Sequence, residues 1–266
     1  MNGASLYLRF IAVSLRAEML YPTAFVLRLV SQFFVTVIEF GGVWVLFARF
    51  YHVRGWTFAQ VAVFYAIASI AFAVADGLSR GFDSVGPLLI KTGNFDRILL
   101  RPRSSALQIT GRDFALSSAG RLAQGLIALG VAIALLKPDW GVGQWLILAW
   151  AVTGGASLFF ALKVLEGTLA FWTTEGLEIA NTLTYGGEAA AQYPLDIYAS
   201  WFRKFLIYFV PIGCSLYFPI ALVLGRAAAG VPPWLAMLTP ATGVVFLFAA
   251  LAVWRAGIQH YTSTGS

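Results

Sequence analysis

The chain has 266 residues, of which 59% are hydrophobic and only 11% charged, with a formal net charge of +6. A soluble domain of this size needs far more charged surface, and the short alternating segments of a β-barrel do not occur, so the composition predicts an all-α polytopic membrane protein. The one cysteine, Cys214, excludes an intrachain disulfide. The basic excess of such a protein marks its cytoplasmic side and implies no nucleic-acid partner.

Residues 1–21 place Leu6, Phe10, Val13 and Ala17 at helical spacing, with Arg9, Arg16 and Glu18 mostly off that line. The pattern lacks the uninterrupted apolar run of a cleavable signal peptide and predicts an amphipathic helix in the membrane interface; a frayed polar leader is the alternative. Apolar windows then predict membrane helices over 23–48, 58–78, 114–136, 144–165 and 234–254. Pro138 and two glycines make the connection at 137–143 a tight turn. The long connection 79–113 carries Arg80, Lys91, Arg97, Arg101, Arg103 and Arg112, whereas the loops on the other side carry only Arg49, Arg54 and Lys137. The connection is therefore expected in the cytoplasm, with both termini on the same side.

Residues 166–233 admit two readings. Hydropathy offers 205–225 as the fifth span, but Pro211 and Pro219 lie inside it, and each leaves a backbone carbonyl without its partner. The other reading makes 193–225 a re-entrant pair of half-helices and 167–192 the fifth span. That segment holds Glu175, Glu178 and Glu188, which hydrocarbon tolerates only when protein or water covers them.

Motifs of soluble-enzyme chemistry are missing. Lys91-Thr92 follows Ile90 and not glycine, so it is no phosphate-binding loop; no G-x-S-x-G elbow occurs; and His52, His260 and Cys214 have no metal-ligand spacing. The charge is concentrated instead in Lys91–Ser104, around Phe95, Ile98, Leu99 and Leu100. Pro87 to Leu100 is expected to form a short cytoplasmic helix that Pro102 stops. An apolar knob ringed by charge suits docking on a partner protein, and equally a basic loop snorkelling at lipid headgroups.

The stretch GNFDRILLRPRSSALQ, Gly93 to Gln108, resembles the loop between the second and third helices of type-2 ABC exporter permeases. LAFW at Leu169–Trp172, the segment Tyr193–Pro219 with its Tyr-Pro-Leu start and two prolines, and the C-terminal WRAGIQHYTSTGS resemble the bacterial viologen-export-like permeases. The resemblance implies one permease domain over 1–266, with six membrane helices, no nucleotide site of its own and no bound cofactor. It implies a partner ABC ATPase that binds ATP and Mg, a second permease subunit, identical or homologous, and a place in the bacterial inner membrane. It makes 79–113 a coupling loop, with Gly93, Phe95, Asp96, Arg97, Leu99, Leu100 and Arg101 as coupling residues. It also favours 193–225, marked by Tyr193, Pro194, Pro211 and Pro219, as a re-entrant element on the outer face.

Ionisable residues inside spans are the default candidates for a transport pathway. Here they are Arg28, Glu39, Asp76, Arg121, Glu175 and Glu178. Arg28 is expected to snorkel to the interface, leaving Glu39, Glu175 and Glu178 as pathway candidates. An ATPase-independent secondary transporter or a membrane scaffold is the rival expectation, although no inverted repeat is evident.

Overall fold

A computed structural model describes residues 52–112, 117–173, 177–226 and 230–262, together with scattered residues between 23 and 49. Those scattered residues, among them Val26, Leu27, Val30, Phe34 and Ile38, are helical where the first span is expected. The interfacial helix expected over 1–21 lies outside the described residues.

The first complete helix, α1 (Phe58–Ser79), starts at Thr57, whose side chain accepts from the Gln60 amide while the Gln60 side chain accepts from the Thr57 amide. This reciprocal cap satisfies two donors that a helix start otherwise leaves unpaired. α1 is apolar all round and buried almost throughout, as a central helix must be. It continues through a 3₁₀ turn, Arg80–Phe82, and a π-helix, Val85–Ile90. Two short helices follow, α2 (Phe95–Leu99) and α3 (Ser105–Thr110). α4 (Ser117–Leu136), α5 (Val142–Leu169) and α6 (Leu177–Ala191) come next. A 3₁₀ turn at Leu195–Ile197 then leads to α7 (Ser200–Tyr208), a π-helix (Gly213–Tyr217) and α8 (Phe218–Val223). The chain closes with α9 (Pro233–Leu238) and α10 (Ala241–Ile258).

Among the described residues, four helical stretches are long and apolar enough to cross a membrane: Phe58–Ile90, Ser118–Leu136, Val142–Leu169 and Ala241–Ile258. A fifth candidate is a bent pair, Ser200–Tyr208 with Gly213–Val223, turned by 84° at the break that holds Pro211. Pro219, lacking an amide hydrogen, follows directly on the π-helix in which the ordinary bonding pattern is already suspended.

Three expected segments differ from the structure. The helix expected over 167–192 is not continuous: α5 runs on to Leu169, a turn follows at Ala170–Trp172, and α6 begins at Leu177. The helix expected from Pro87 to Leu100 is also split, because Gly93 adopts φ +68°, a left-handed geometry that reverses the chain between the π-helix and α2. The span expected over 234–254 divides at Pro240 into α9 and α10, and α10 extends to Ile258.

α1 packs along α4 and α5, and α10 packs along α5. Small residues set the spacing, as membrane helices require. A Cβ at Gly125 of α4 would lie 2.7 Å from Ile70 Cγ1 of α1. On α5, Gly154 abuts Pro240 and Gly243, while Gly155 leaves room for Leu216 and Ala71.

The bundle has two distinct ends. At one, Trp56 packs on Phe64 (5.4 Å between ring centroids), Phe64 stacks on Tyr217 (5.8 Å), and the Tyr217 hydroxyl donates to Asp196 (2.7 Å). Arg226, just past α8, lies over the Trp56 ring and hydrogen-bonds the Gly55 carbonyl. Asp196, ahead of the bent pair, and Arg226, after it, both make contacts at the Trp56 end. At the other end, α2 and α3 lie against the C-terminal ends of α5 and α10, where Trp254 packs on Phe82 (5.3 Å) and Phe171 (5.1 Å).

Candidate functional site

The segment after α1 is anchored from within. Phe95 is fully buried in an aromatic cage of Tyr261 (4.9 Å), Phe171 (5.2 Å) and Trp254 (6.2 Å). The Trp254 indole donates to Ser105 Oγ (3.1 Å), fixing α3 to α10. Gln108 of α3 donates through Nε2 to the carbonyls of Ile98 and Arg103, both at 3.1 Å, tying α3 to α2.

The sequence reading placed Phe95 on the outward knob with Leu99; the structure turns it inward. The pattern of α2 has two apolar sides, and the bundle takes the larger ring. Leu100, 84% exposed, and Leu99, 43% exposed, face outward with Arg97 and Arg101, while Asp96 is half-buried. Arg97, Arg101 and Arg112 line a surface hollow of about 390 Å³ with Asn94. Gly93 supplies the reversal that presents this face.

Directly inside lies a network of charges. Lys163 of α5, 1% exposed, donates to both carboxylate oxygens of Asp83 at 2.9 Å and to the Tyr185 hydroxyl at 3.1 Å, and its Nζ sits 3.8 Å from Asp76. Ser118 of α4 donates to Asp76 at 2.8 Å. Arg121 of α4 lies 4.7 Å above the Phe72 ring and 3.5 Å from the Glu188 carboxylate of α6. An ammonium this deeply buried persists only because carboxylates and a hydroxyl replace its water. The network joins α1, α4, α5 and α6, and Asp83 carries it onto the connection that leads to α2.

Of the ionisable residues expected inside spans, Asp76 and Arg121 belong to this network. Glu39, Arg28 and Glu175 lie outside the described residues, and Glu178 falls in the first turn of α6. Tyr193 and Pro194 precede the bent pair, Pro211 sits at its break and Pro219 opens α8. Sequence reasoning misses Asp83 and Glu166 as site residues. The available signal was a lysine and a glutamate at i,i+3 inside an otherwise apolar helix. Among the described residues, no group of three or more His, Cys, Asp or Glu could hold a metal ion.

Helices of this length and apolarity define a multi-pass membrane protein. Residues 33–265 match the family described as ABC-2 family transporter protein, and the chain belongs to that family. It is thus an ABC transporter membrane component, and membership implies an ABC ATPase as its partner. Neither curated proteins nor solved structures give a match.

Proposed function

We propose that this chain is the membrane-spanning subunit of an ATP-driven exporter that moves an amphipathic or hydrophobic substrate out of the cytoplasm. The observation that carries the proposal is the segment at 79–113, anchored inward by Phe95 while Leu99, Leu100, Arg97 and Arg101 face out. Such a rigid apolar and basic surface suits docking in a cleft of the ATPase. ATP and Mg are bound by that partner, and two permease subunits, identical or homologous, line the pathway. Closure of the ATPases pushes the segment, and the Lys163–Asp83 pair passes the push to α5 as a rigid-body shift.

The docking end is cytoplasmic on this reading, in line with its arginines. Six crossings on this reading are the span expected over 23–48, α1, α4, α5, α6 and α10. α6 is short for a span, at about 22 Å for 15 residues. It nevertheless starts beyond the turn that ends α5 at the Trp254 end, and past its last residue Asp196 accepts from Tyr217, which stacks on Phe64 beside Trp56. The bent pair, flanked by Asp196 and Arg226 with their contacts at the Trp56 end, is then the re-entrant element on the outer face. The Tyr193–Pro219 motif supports a place among the viologen-export-like permeases.

The test is co-expression with a candidate partner ABC ATPase. The expected result is a stable complex whose ATP hydrolysis is substrate-stimulated. Transport by this chain alone, with no associated ATPase, would favour a secondary transporter.

A further inference from the structure

A cavity of about 230 Å³ opens between α5, α6 and α10, near the end that holds Trp254. Leu162, Leu165, Leu169, Leu183 and Val253 form its apolar wall, and Trp172, 52% exposed, stands at its mouth. The polar lining is Glu166, Thr168 and Thr184. Thr168 spends its hydroxyl on the Val164 carbonyl (2.6 Å), within its own helix. Thr184 hydrogen-bonds the Glu166 carboxyl.

Glu166 is only 2% exposed, yet among the described residues its Oε2 has no hydrogen-bond partner. Lys163, three residues earlier, attracts it electrostatically, but the ammonium donates to Asp83 and Tyr185. A buried carboxylate oxygen without a donor is costly, and native proteins leave few of them. The missing component is a positively charged N–H donor, and the wall around it calls for an apolar body on the same molecule.

We propose that this cavity binds the protonated-amine end of an amphiphilic amine. The ammonium donates to Glu166 Oε2, the apolar body lies along the leucines, and Trp172 covers the mouth. The volume is below the roughly 300–1,000 Å³ of pockets for drug-sized ligands, so it holds an arylalkyl or short alkyl end and not a large molecule. Taken as a substrate site, the cavity rests on the transport role proposed above. Taken as a binding site it does not, and binding is what the test measures.

The full-length chain in lipid nanodiscs is titrated calorimetrically at neutral pH with 4-phenylbutylamine, 4-phenylbutanol and 4-phenylbutanoate, with empty discs subtracted. The expected result is saturable binding of the amine about tenfold or more tighter than the alcohol, with the carboxylate weakest, since a charge-assisted bond replaces a neutral one. Glu166→Gln should erase the preference for the amine over the alcohol, and Leu183→Trp, which fills the cavity, should abolish both. Equal affinity for amine and alcohol in the parent, absence of saturable binding, or parental amine affinity in Glu166→Gln would each overturn the proposal. Should Glu166→Gln not fold, the parent's amine-to-alcohol ratio decides alone. Failure of the chain to associate with an ATPase, measured separately, would count against the transport role and leave this result standing.

Discussion

Lys163 and Asp83 are 80 residues apart in the chain, yet the Lys163 ammonium donates to both Asp83 carboxylate oxygens at 2.9 Å. One residue belongs to a membrane helix and the other to the connection that leads to α2. This pair is a polar link between the bundle and the start of the connection that leads to the outward-facing segment.

Removing the cation should therefore be severe. Lys163→Met leaves Asp76 and Asp83 without their shared partner; breaking a fully buried pair from one side costs about 3–5 kcal/mol, and the partial exposure of Asp83 makes that the upper bound here. The expected outcome is a lower melting temperature of the purified chain. Lys163→Met combined with Asp83→Asn should recover part of the loss, because the coupling between contacting partners is not additive. Parental melting of the single variant would show that the pair holds nothing together.

Phe95 and Leu100 should separate by readout. Phe95→Ala removes a fully buried ring from its aromatic cage and should cost about 3–5 kcal/mol of stability. Leu100→Glu alters a side chain that is 84% exposed, so melting should stay within about 0.5 kcal/mol of the parent while ATPase binding weakens. A Leu100→Glu chain that melts early would mean that this residue is packed and not presented.

The contact of α5 with α10 has no spare room. Gly243 lies against the Gly154 backbone, so Gly243→Leu forces the two helices apart. Overpacking of this kind costs about 1–3 kcal/mol or more. Trypsin digestion in detergent should release the C-terminal helix faster from the variant than from the parent, and equal rates would contradict the close packing.

Sidedness is testable at Ser200. With the bent pair on the outer face, a cysteine placed there in a Cys214→Ala background reacts with an impermeant maleimide added to intact cells. Labelling only after permeabilisation would make the pair an ordinary span and invert the proposed course of α6.

Much of the architecture was legible because it depends on local composition. α1 begins at Phe58 as its apolar window predicts, and the break in the bent pair falls at Pro211. Pro240, in contrast, was read as lying within a span although it divides α9 from α10. The inward turn of Phe95 was hidden because α2 is only five residues long, and amphipathicity alone does not say which apolar side chain meets the bundle. The partner of Lys163 was hidden for a different reason: pairing across 80 residues depends on how α1 and α5 are arranged, and no local pattern encodes that. Glu166 was passed over because a single glutamate near a helix end reads as an interfacial charge, whereas the bundle buries it beside a cavity.

The most direct measurement of coupling is a cross-link. A cysteine at Leu100, in the Cys214→Ala background, is treated with a short bifunctional maleimide in membranes that also contain the co-purifying ABC ATPase carrying single cysteines along its cleft. A covalent permease–ATPase product that changes in yield when ATP is added is the predicted result. No product at any cleft position, together with substrate transport that persists without the ATPase, would contradict the proposal that this segment couples ATP hydrolysis to the membrane helices.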